Sequence, residues 1–287
     1  MTYLPRHFLS RLVSFLNNGL LIKWLVYSLL TINFGFYLIE DFGVATQILR
    51  GGGTWLQWSE EFSTTLDVFA WLGLIIVFEL ETHLLSDENF EHLSVRWGLN
   101  AVRLLCYVLL MHTVMARVVS VADFVKAERM HEVSSLCQLV EQDIIFTENN
   151  YYTAIDADTC LQLAQGEEFY LLEKGVVTDA DGYALEAISR WIDIQDVLLW
   201  LLIVAAIELT LYLQTKGITE GRLLLLANFS KILYGVLFMH AGFWLYMGHW
   251  LWAWDQSLWI FGFWVIDNNL STWRKEIIDQ KKEFQDP

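Results

Sequence analysis

Six apolar segments divide this 287-residue chain, and each is long enough to cross a lipid bilayer as a helix. Hydrophobic residues make up 55% of the sequence, which favours an integral membrane protein over a soluble domain. We therefore expect an all-α, polytopic membrane helical bundle of about six transmembrane helices. The predicted spans cover residues 20–39, 66–85, 98–119, 196–215, 223–246 and 250–267.

Two pairs of these segments repeat one another, including their polar residues. Asp67 and Glu79 in the second segment recur in the fourth at a shift of 129 positions, and the third segment recurs in the fifth at a shift of 128. Both copies run in the same direction, so we expect a parallel internal duplication with repeats at 66–119 and 196–246. The matched pairs are Asp67 with Asp196, Glu79 with Glu208, Asn100 with Asn228, Arg103 with Lys231, and His112 with His240.

Charged and imidazole side chains are costly inside a membrane, so their occurrence in both repeats indicates a role. At about 1.5 Å per residue, Glu79 and Arg103 lie at similar depths on consecutive helices. The same holds for Glu208 and Lys231, which predicts two ion pairs toward the cytoplasmic side. Arg117, by contrast, has no counterpart in the second repeat, where Leu245 stands.

Three functions are compatible with these residues. In the first, protons or small cations pass through or beside the duplicated bundle along the ten repeated polar residues. In the second, the ion pairs hold helical hairpins together in a structural or accessory subunit of a membrane complex. In the third, His112 and His240 are the axial ligands of a haem in an electron-transfer protein. We favour ion conduction, which requires no cofactor.

Other functional classes receive little support from the sequence. It contains no nucleophile–base arrangement, phosphate loop or cofactor fingerprint, which disfavours an enzyme. We predict no metal site. The net charge of −16 disfavours nucleic acid as a partner, because phosphates would be repelled.

The uneven charge distribution predicts the orientation. Residues 120–195 carry fifteen acidic and four basic residues, whereas both ends of the chain contain arginine. The positive-inside rule then puts both termini in the cytoplasm, as in a bacterial-type inner membrane. The expected divisions are an interfacial segment 1–19, transmembrane helices at 20–119, an exterior acidic domain 120–195, transmembrane helices at 196–267 and a cytoplasmic tail 268–287.

The exterior segment and the sixth span suggest further contacts. Leucine and valine recur at helical spacing within 120–195, so we expect a small helical domain there. Cys137 and Cys160 fall in this segment and are candidates for a disulfide, with two free buried thiols as the alternative.

The tryptophan-rich sixth span predicts contacts with lipid and with further copies or other membrane subunits. Proline is absent between Pro5 and Pro287, which favours unbroken helices.

Overall fold

The computed structural model is mostly helical and also contains one five-stranded sheet. Residues 1–19 and 268–287 lie outside the described part of the chain, apart from residue 278, so the predicted interfacial segment and tail are not covered. The structure describes residues 20–50, 52–80, 92–142, 144–163, 166, 168–173, 175–216, 218, 220–264 and 278.

The described residues contain seven α-helices and five strands. Three of the helices, or four if the bent pair α2–α3 counts as one span, are long and apolar enough to cross a membrane, which supports a membrane protein. The helices are α1 Leu20–Ile48, α2 Trp55–Glu61, α3 Ser63–Glu79, α4 Leu93–Phe124, α5 Ala180–Thr215, α6 Arg222–Tyr246 and α7 at 250–264. The strands are β1 Glu128–Arg129, β2 Ile145–Glu148, β3 Tyr151–Ala154, β4 Phe169–Glu173 and β5 Val176–Asp179.

The segment between α4 and α5 is a sheet, so the all-α expectation and the helical exterior domain were wrong. The strand order is β1-β4-β5-β2-β3, with β2 and β5 parallel and the other neighbours antiparallel. β-branched runs such as Val176–Asp179 favour strands. The leucines that fit a helical spacing lie instead in a 3-10 turn at Leu136–Leu139 and in strand β4, which contains Leu171 and Leu172. The core consists of Leu136, Leu139, Phe146, Ile155, Cys160, Phe169 and Val177.

A sharp bend separates α2 from α3 at residue 62, before the predicted span 66–85 begins. The two helix axes differ by 72°. Helix α2 begins with a capping box, in which the Thr54 hydroxyl accepts from the Gln57 backbone and the Gln57 side chain accepts from the Thr54 backbone. No proline is involved, and the bend is instead stabilised by contacts with α4 that are described below.

The chain divides into two compact units, of which one covers residues 34–198. In this unit α3 packs antiparallel to α4, and the helices approach closely at Gly73. A Cβ atom there would lie 2.7 Å from Cys106 Sγ, so glycine is required for this approach. The sheet lies in the same unit, between the end of α4 and the start of α5.

The other unit covers residues 1–33 and 199–287. Its core forms where the later part of α5 packs with α6 and α7, with Ile203 and Leu237 fully buried. Helix α1 contributes through Asn33, whose Nδ2 donates a 2.8 Å hydrogen bond to the buried Asp255 Oδ1 of α7. This polar contact was not predicted from the sequence.

Candidate functional site

Asp41 of α1 caps the N-terminus of α3 from a different helix. Its Oδ2 accepts hydrogen bonds from the Thr65 backbone N–H at 2.9 Å and from the Thr65 hydroxyl at 2.7 Å. Phe62, at the N-cap position of α3, provides no side-chain hydrogen bond. The buried Asp41 therefore satisfies an amide group that a helix start leaves without an intrahelical partner, and its charge complements the helix dipole.

Arg117 of α4 lies beside this helix start and links it to α5. Its Nη2 donates to Thr64 Oγ1 at 3.0 Å, and its Nη1 donates to Asp193 Oδ2 at 3.3 Å. The side chains of Arg117 and Asp193 are 25% and 28% exposed, so the ion pair is half-buried. The guanidinium thus joins α3, α4 and α5.

Four aspartates act electrostatically on Arg117. Besides Asp193, the carboxylates of Asp41, Asp67 and Asp196 are close enough for favourable electrostatic interaction with its guanidinium. Asp193 and Asp196 are close enough to repel each other. With every group ionised, four carboxylates and one guanidinium give a net charge of −3. We call these five residues the aspartate–arginine cluster.

Two members of the cluster are the paired residues of the sequence repeat. Asp67 pairs with Asp196 in the sequence at a shift of 129 positions, and both residues interact electrostatically with Arg117. The two residues lie in different local structures. Asp67 is in the first turns of α3, just after the bend, whereas Asp196 lies within the continuous 36-residue helix α5. Since Arg117 has no equivalent in the second repeat, the cluster is asymmetric.

The bend between α2 and α3 is held by side chains of α4. His112 Nε2 lies 3.1 Å from the Ser59 carbonyl oxygen, and because a carbonyl can only accept, Nε2 carries the hydrogen. The Thr113 hydroxyl lies 3.4 Å from the Ser63 carbonyl. Broken helices in membranes need such partners for their backbone groups. His112 therefore makes the contact of a hydrogen-bonded packing residue.

A row of contacts leads from the cluster toward the sheet. Arg190 of α5 donates to the hydroxyl and the carbonyl of Ser120, and its guanidinium lies 5.3 Å from the centroid of the Phe124 ring. Phe124 stacks on Tyr183 at 4.8 Å, and Tyr183 stacks on Tyr170 of β4 at 4.6 Å. The ends of α4 and α5 are thereby packed against each other and against the sheet.

A buried carboxylate, Glu186, lies where α5 passes the β2–β3 turn. Its Oε1 accepts the Asn150 backbone N–H at 2.9 Å and lies 3.5 Å from the Thr147 hydroxyl. Asn149 and Asn150 have φ of 54° and 60°, a backbone conformation that suits asparagine in a tight hairpin turn. Glu186 is 1% exposed, and Arg190 is close enough for electrostatic attraction.

The other predicted site residues are distributed along the helices. Glu79, Arg103 and His240 are half-buried, whereas Asn100, Glu208, Asn228 and Lys231 are exposed. The predicted pairs Glu79–Arg103 and Glu208–Lys231 stay predictions.

Cys137 and Cys160 are joined by a disulfide with Cα atoms 4.9 Å apart, and Cys106 is a free buried thiol.

Sequence reasoning did not identify Asp41, Asp193 and Glu186 as site residues and set Arg117 aside. Asp41 and Asp193 fall just outside the predicted spans 20–39 and 196–215. A usable signal was present for Glu186, because Glu186 and Arg190 are spaced as an i,i+4 pair at the start of a long helix. Arg117 was set aside because it breaks the repeat, although its tertiary neighbours come from both copies.

No group of three or more His, Cys, Asp or Glu side chains is arranged to hold a metal ion in the part of the chain that the structure describes. His112, one of the two histidines of the haem hypothesis, uses Nε2 for the Ser59 carbonyl.

Comparisons with models of known protein families, with curated proteins and with solved structures found no match for this chain.

Proposed function

We propose that this protein is a six-span membrane protein with a parallel internal duplication and that it conducts protons or small cations. The single observation that carries the proposal is the convergence of Asp67 and Asp196, from the two repeats, on Arg117. Ionisable residues within membrane helices usually belong to ion or proton pathways. The net negative charge of the aspartate–arginine cluster favours a cation over an anion.

The exposed tryptophans support a location of this cluster at the exterior boundary of the membrane. Trp97 and Trp191 are both exposed, as expected for residues of the two interfacial aromatic belts. The contact of Arg190 with Ser120 puts Trp191 level with about residue 119 of α4, about 33 Å from Trp97 along the helix. A hydrocarbon core is about 30 Å thick, so Arg117 would lie just inside its exterior edge.

The surrounding charge supports a role for the exterior segment in concentrating cations. The fifteen acidic and four basic residues of 120–195 make this segment strongly negative, and charge of one sign raises the local concentration of ions of the other sign. In the proposed orientation, with both termini cytoplasmic, these residues face the exterior. The aspartate–arginine cluster lies directly beneath them and would receive the cation.

The inner half of the proposed route rests on the sequence repeat. Glu79 with Arg103 and Glu208 with Lys231 would form ion pairs on the cytoplasmic side. Lipid surrounds the bundle, and further copies of the chain or other membrane subunits are proposed partners. The exposed apolar residues of α6, Phe229, Ile232, Phe238 and Met239, offer a surface for either.

Flux through purified protein in liposomes tests the proposal. Asp67→Asn and Asp196→Asn should each lower cation flux under an imposed gradient, and the double variant should abolish it, because both carboxylates contribute to one charged cluster. Asp158→Asn is the matched control, since it removes the same charge from an exposed turn of the sheet segment. Its flux should equal that of the unsubstituted protein.

Two outcomes would favour the alternatives. If folded protein carries no cation at any pH or voltage, the accessory-subunit hypothesis is preferred. A Soret absorbance band that is lost in His112→Ala and His240→Ala would favour haem electron transfer instead.

A further inference from the structure

One face of α5 is polar from the sheet to the aspartate–arginine cluster. Glu186, Ser189, Arg190, Asp193 and Asp196 fall within a stripe about 120° wide at about 100° per residue. Glu186 is the outermost of these side chains, and Asp193 lies about 10 Å further along the helix. Arg190 and Asp193 are the charged groups that act on Glu186 along this face, and Asn150 and Thr147 contact it from the hairpin.

Several buried polar atoms along this stripe have no hydrogen-bond partner within the described part of the chain. They are Thr178 Oγ1, Asn150 Nδ2, Ser189 Oγ and Arg190 Nε, together with Arg117 Nε, which lies next to Asp193. Thr178 and Ser189 are fully buried, as is Glu186. Ser189 and Arg190 belong to this face of α5, Asn150 contacts it at Glu186, Arg117 contacts it at Asp193, and Thr178 Oγ1 lies next to Gly182 at the start of the helix.

Such atoms have a common physical explanation. Buried polar groups in proteins are nearly always hydrogen-bonded, and where protein partners are absent, internal water fills the role. The mixture here suits water, because Asn150 Nδ2 and the two arginine Nε atoms can only donate, the hydroxyls do both, and Glu186 accepts. A water molecule can satisfy donors and a carboxylate at once.

We propose that the polar face of α5 from Glu186 to Asp196 holds internal waters and that protons, rather than metal cations, pass along it from the exterior to the aspartate–arginine cluster. This inference rests on the proposed function and names its ion. Glu186 is the first group on the path that can bind a proton. The β2–β3 turn covers it through the Asn150 N–H.

The proton step is balanced in atoms and charge. A Glu186 oxygen accepts a proton from a hydronium ion that has entered from the exterior under the hairpin, so that Glu186 becomes a neutral carboxylic acid and the hydronium becomes water. Glu186 then releases a proton to a water on its inner side, which passes a proton to the Asp193 carboxylate. Glu186 returns to its starting state, one proton has moved inward, and no electron has been transferred.

The charge along the path discriminates against metal cations. Arg190 lies beside Glu186 and Arg117 lies beside Asp193, so a sodium or potassium ion would pass two guanidinium groups at close range. A proton avoids this, because it moves by exchange of O–H bonds between waters and carboxylates, and no ion with its hydration shell needs to fit between the helices.

Proton and metal-cation fluxes into liposomes test the proposal with the full-length protein. We expect proton flux, reported by an enclosed pH-sensitive dye, and little sodium or potassium flux. Glu186→Gln should lower the proton flux at least tenfold, because glutamine keeps an oxygen for the Asn150 N–H but cannot exchange a proton. Glu148→Gln removes the same charge from the adjacent strand and should have no effect. Equal proton flux in Glu186→Gln, or sodium flux above proton flux, would overturn the inference.

Infrared difference spectroscopy provides a readout that does not depend on transport. A change of external pH should produce a carboxylic acid C=O band that disappears in Glu186→Gln. If no cation crosses the membrane, the proposed function is contradicted. The infrared band then still shows whether Glu186 exchanges protons with the exterior. Absence of the band overturns the inference.

Ser189→Val is the second variant, because it leaves Glu186 unchanged and replaces a hydroxyl on the path by apolar methyl groups. It should lower proton flux several-fold, while Ser189→Ala, which leaves room for water, should lower it less. Equal flux in the two variants would contradict the water path, even if Glu186→Gln does not fold.

Discussion

Arg117 on α4 and Asp193 on α5 form an ion pair with 3.3 Å between Nη1 and Oδ2, and this pair joins two helices that lead to the sheet. Arg117→Gln should lower the free energy of unfolding by about 3 kcal/mol, because it removes the ion-pair partner of the half-buried Asp193 and leaves only Arg190 to offset its charge. Asp193→Asn should cost less, and the double variant should be less harmful than the sum of the two. Chemical unfolding in detergent measures these differences, and additive effects would contradict the coupling.

Arg129→Gln is the matched control for that cycle. Arg129 and Glu168 form a surface pair at 2.6 Å, with side chains 45% and 46% exposed. Exposed pairs contribute little, so this change should cost less than about 0.5 kcal/mol.

Asp41 should act mainly as a helix cap. Asp41→Ala removes the acceptor of both Thr65 hydrogen bonds and should destabilise the protein by about 1 to 2 kcal/mol. Asp41→Asn keeps an oxygen that can cap α3 and should be milder. Equal losses of melting temperature in the two variants would show that the charge on Asp41, beside Arg117, matters more than the cap.

Glycine is required at position 182, where α5 begins. The Gly182 N–H donates to Asp179 Oδ1 at 2.8 Å, and a Cβ atom at 182 would clash with Thr178 Oγ1. Gly182→Ala should therefore lower stability by about 1 to 3 kcal/mol. Gly242→Ala in α6 is the control, since no atom lies within 4 Å of its Cβ position and alanine favours helix. Thermal unfolding should separate the two, and an equal effect would contradict the packing argument.

The disulfide provides a test of topology as well as stability. Cys137 and Cys160 are 23 residues apart, so removal of the bond should cost about 3 kcal/mol in loop entropy. A membrane-impermeant thiol reagent applied from the exterior should label the partly buried Cys137 only after reduction. Cys106 is buried and should stay unlabelled. Labelling of Cys137 from the cytoplasmic side alone would reverse the proposed orientation.

Glu148 should destabilise the sheet near neutral pH. Partial burial, followed by repulsion from Asp179 and Asp181, raises its pKa above the ordinary value of 4.5. The folded state then prefers the protonated form, so stability is lost as pH rises from about 4.5 through the raised pKa. Glu148→Gln should raise the melting temperature at neutral pH, with the difference disappearing in acid. Asp158→Asn should show no such pH-dependent gain.

The sequence by itself determined that this chain has membrane-length helices. Apolar length is a local property, and it correctly located the helices that contain residues 98–119 and 196–215. The sequence pairs Asp67 with Asp196 at a shift of 129 positions, and both residues interact electrostatically with Arg117. The sheet was missed because short leucine spacings fit a helix as well as a set of short strands, and strand pairing depends on distant residues such as Ile145 and Val176.

Only the tertiary structure decided which charges meet. Asp41, Arg117 and Asp193 are separated by more than seventy positions in the sequence, and each looks like an ordinary charge near the end of an apolar segment. Their contact depends on the bend before α3, which points the start of that helix at α4, and on the extension of α5 to Ala180. The start of α5 has a local cap, in which Asp179 accepts the Gly182 N–H. Hydrophobic periodicity does not predict the bend, because the bend is held by hydrogen bonds made across the fold, such as that of His112 with Ser59.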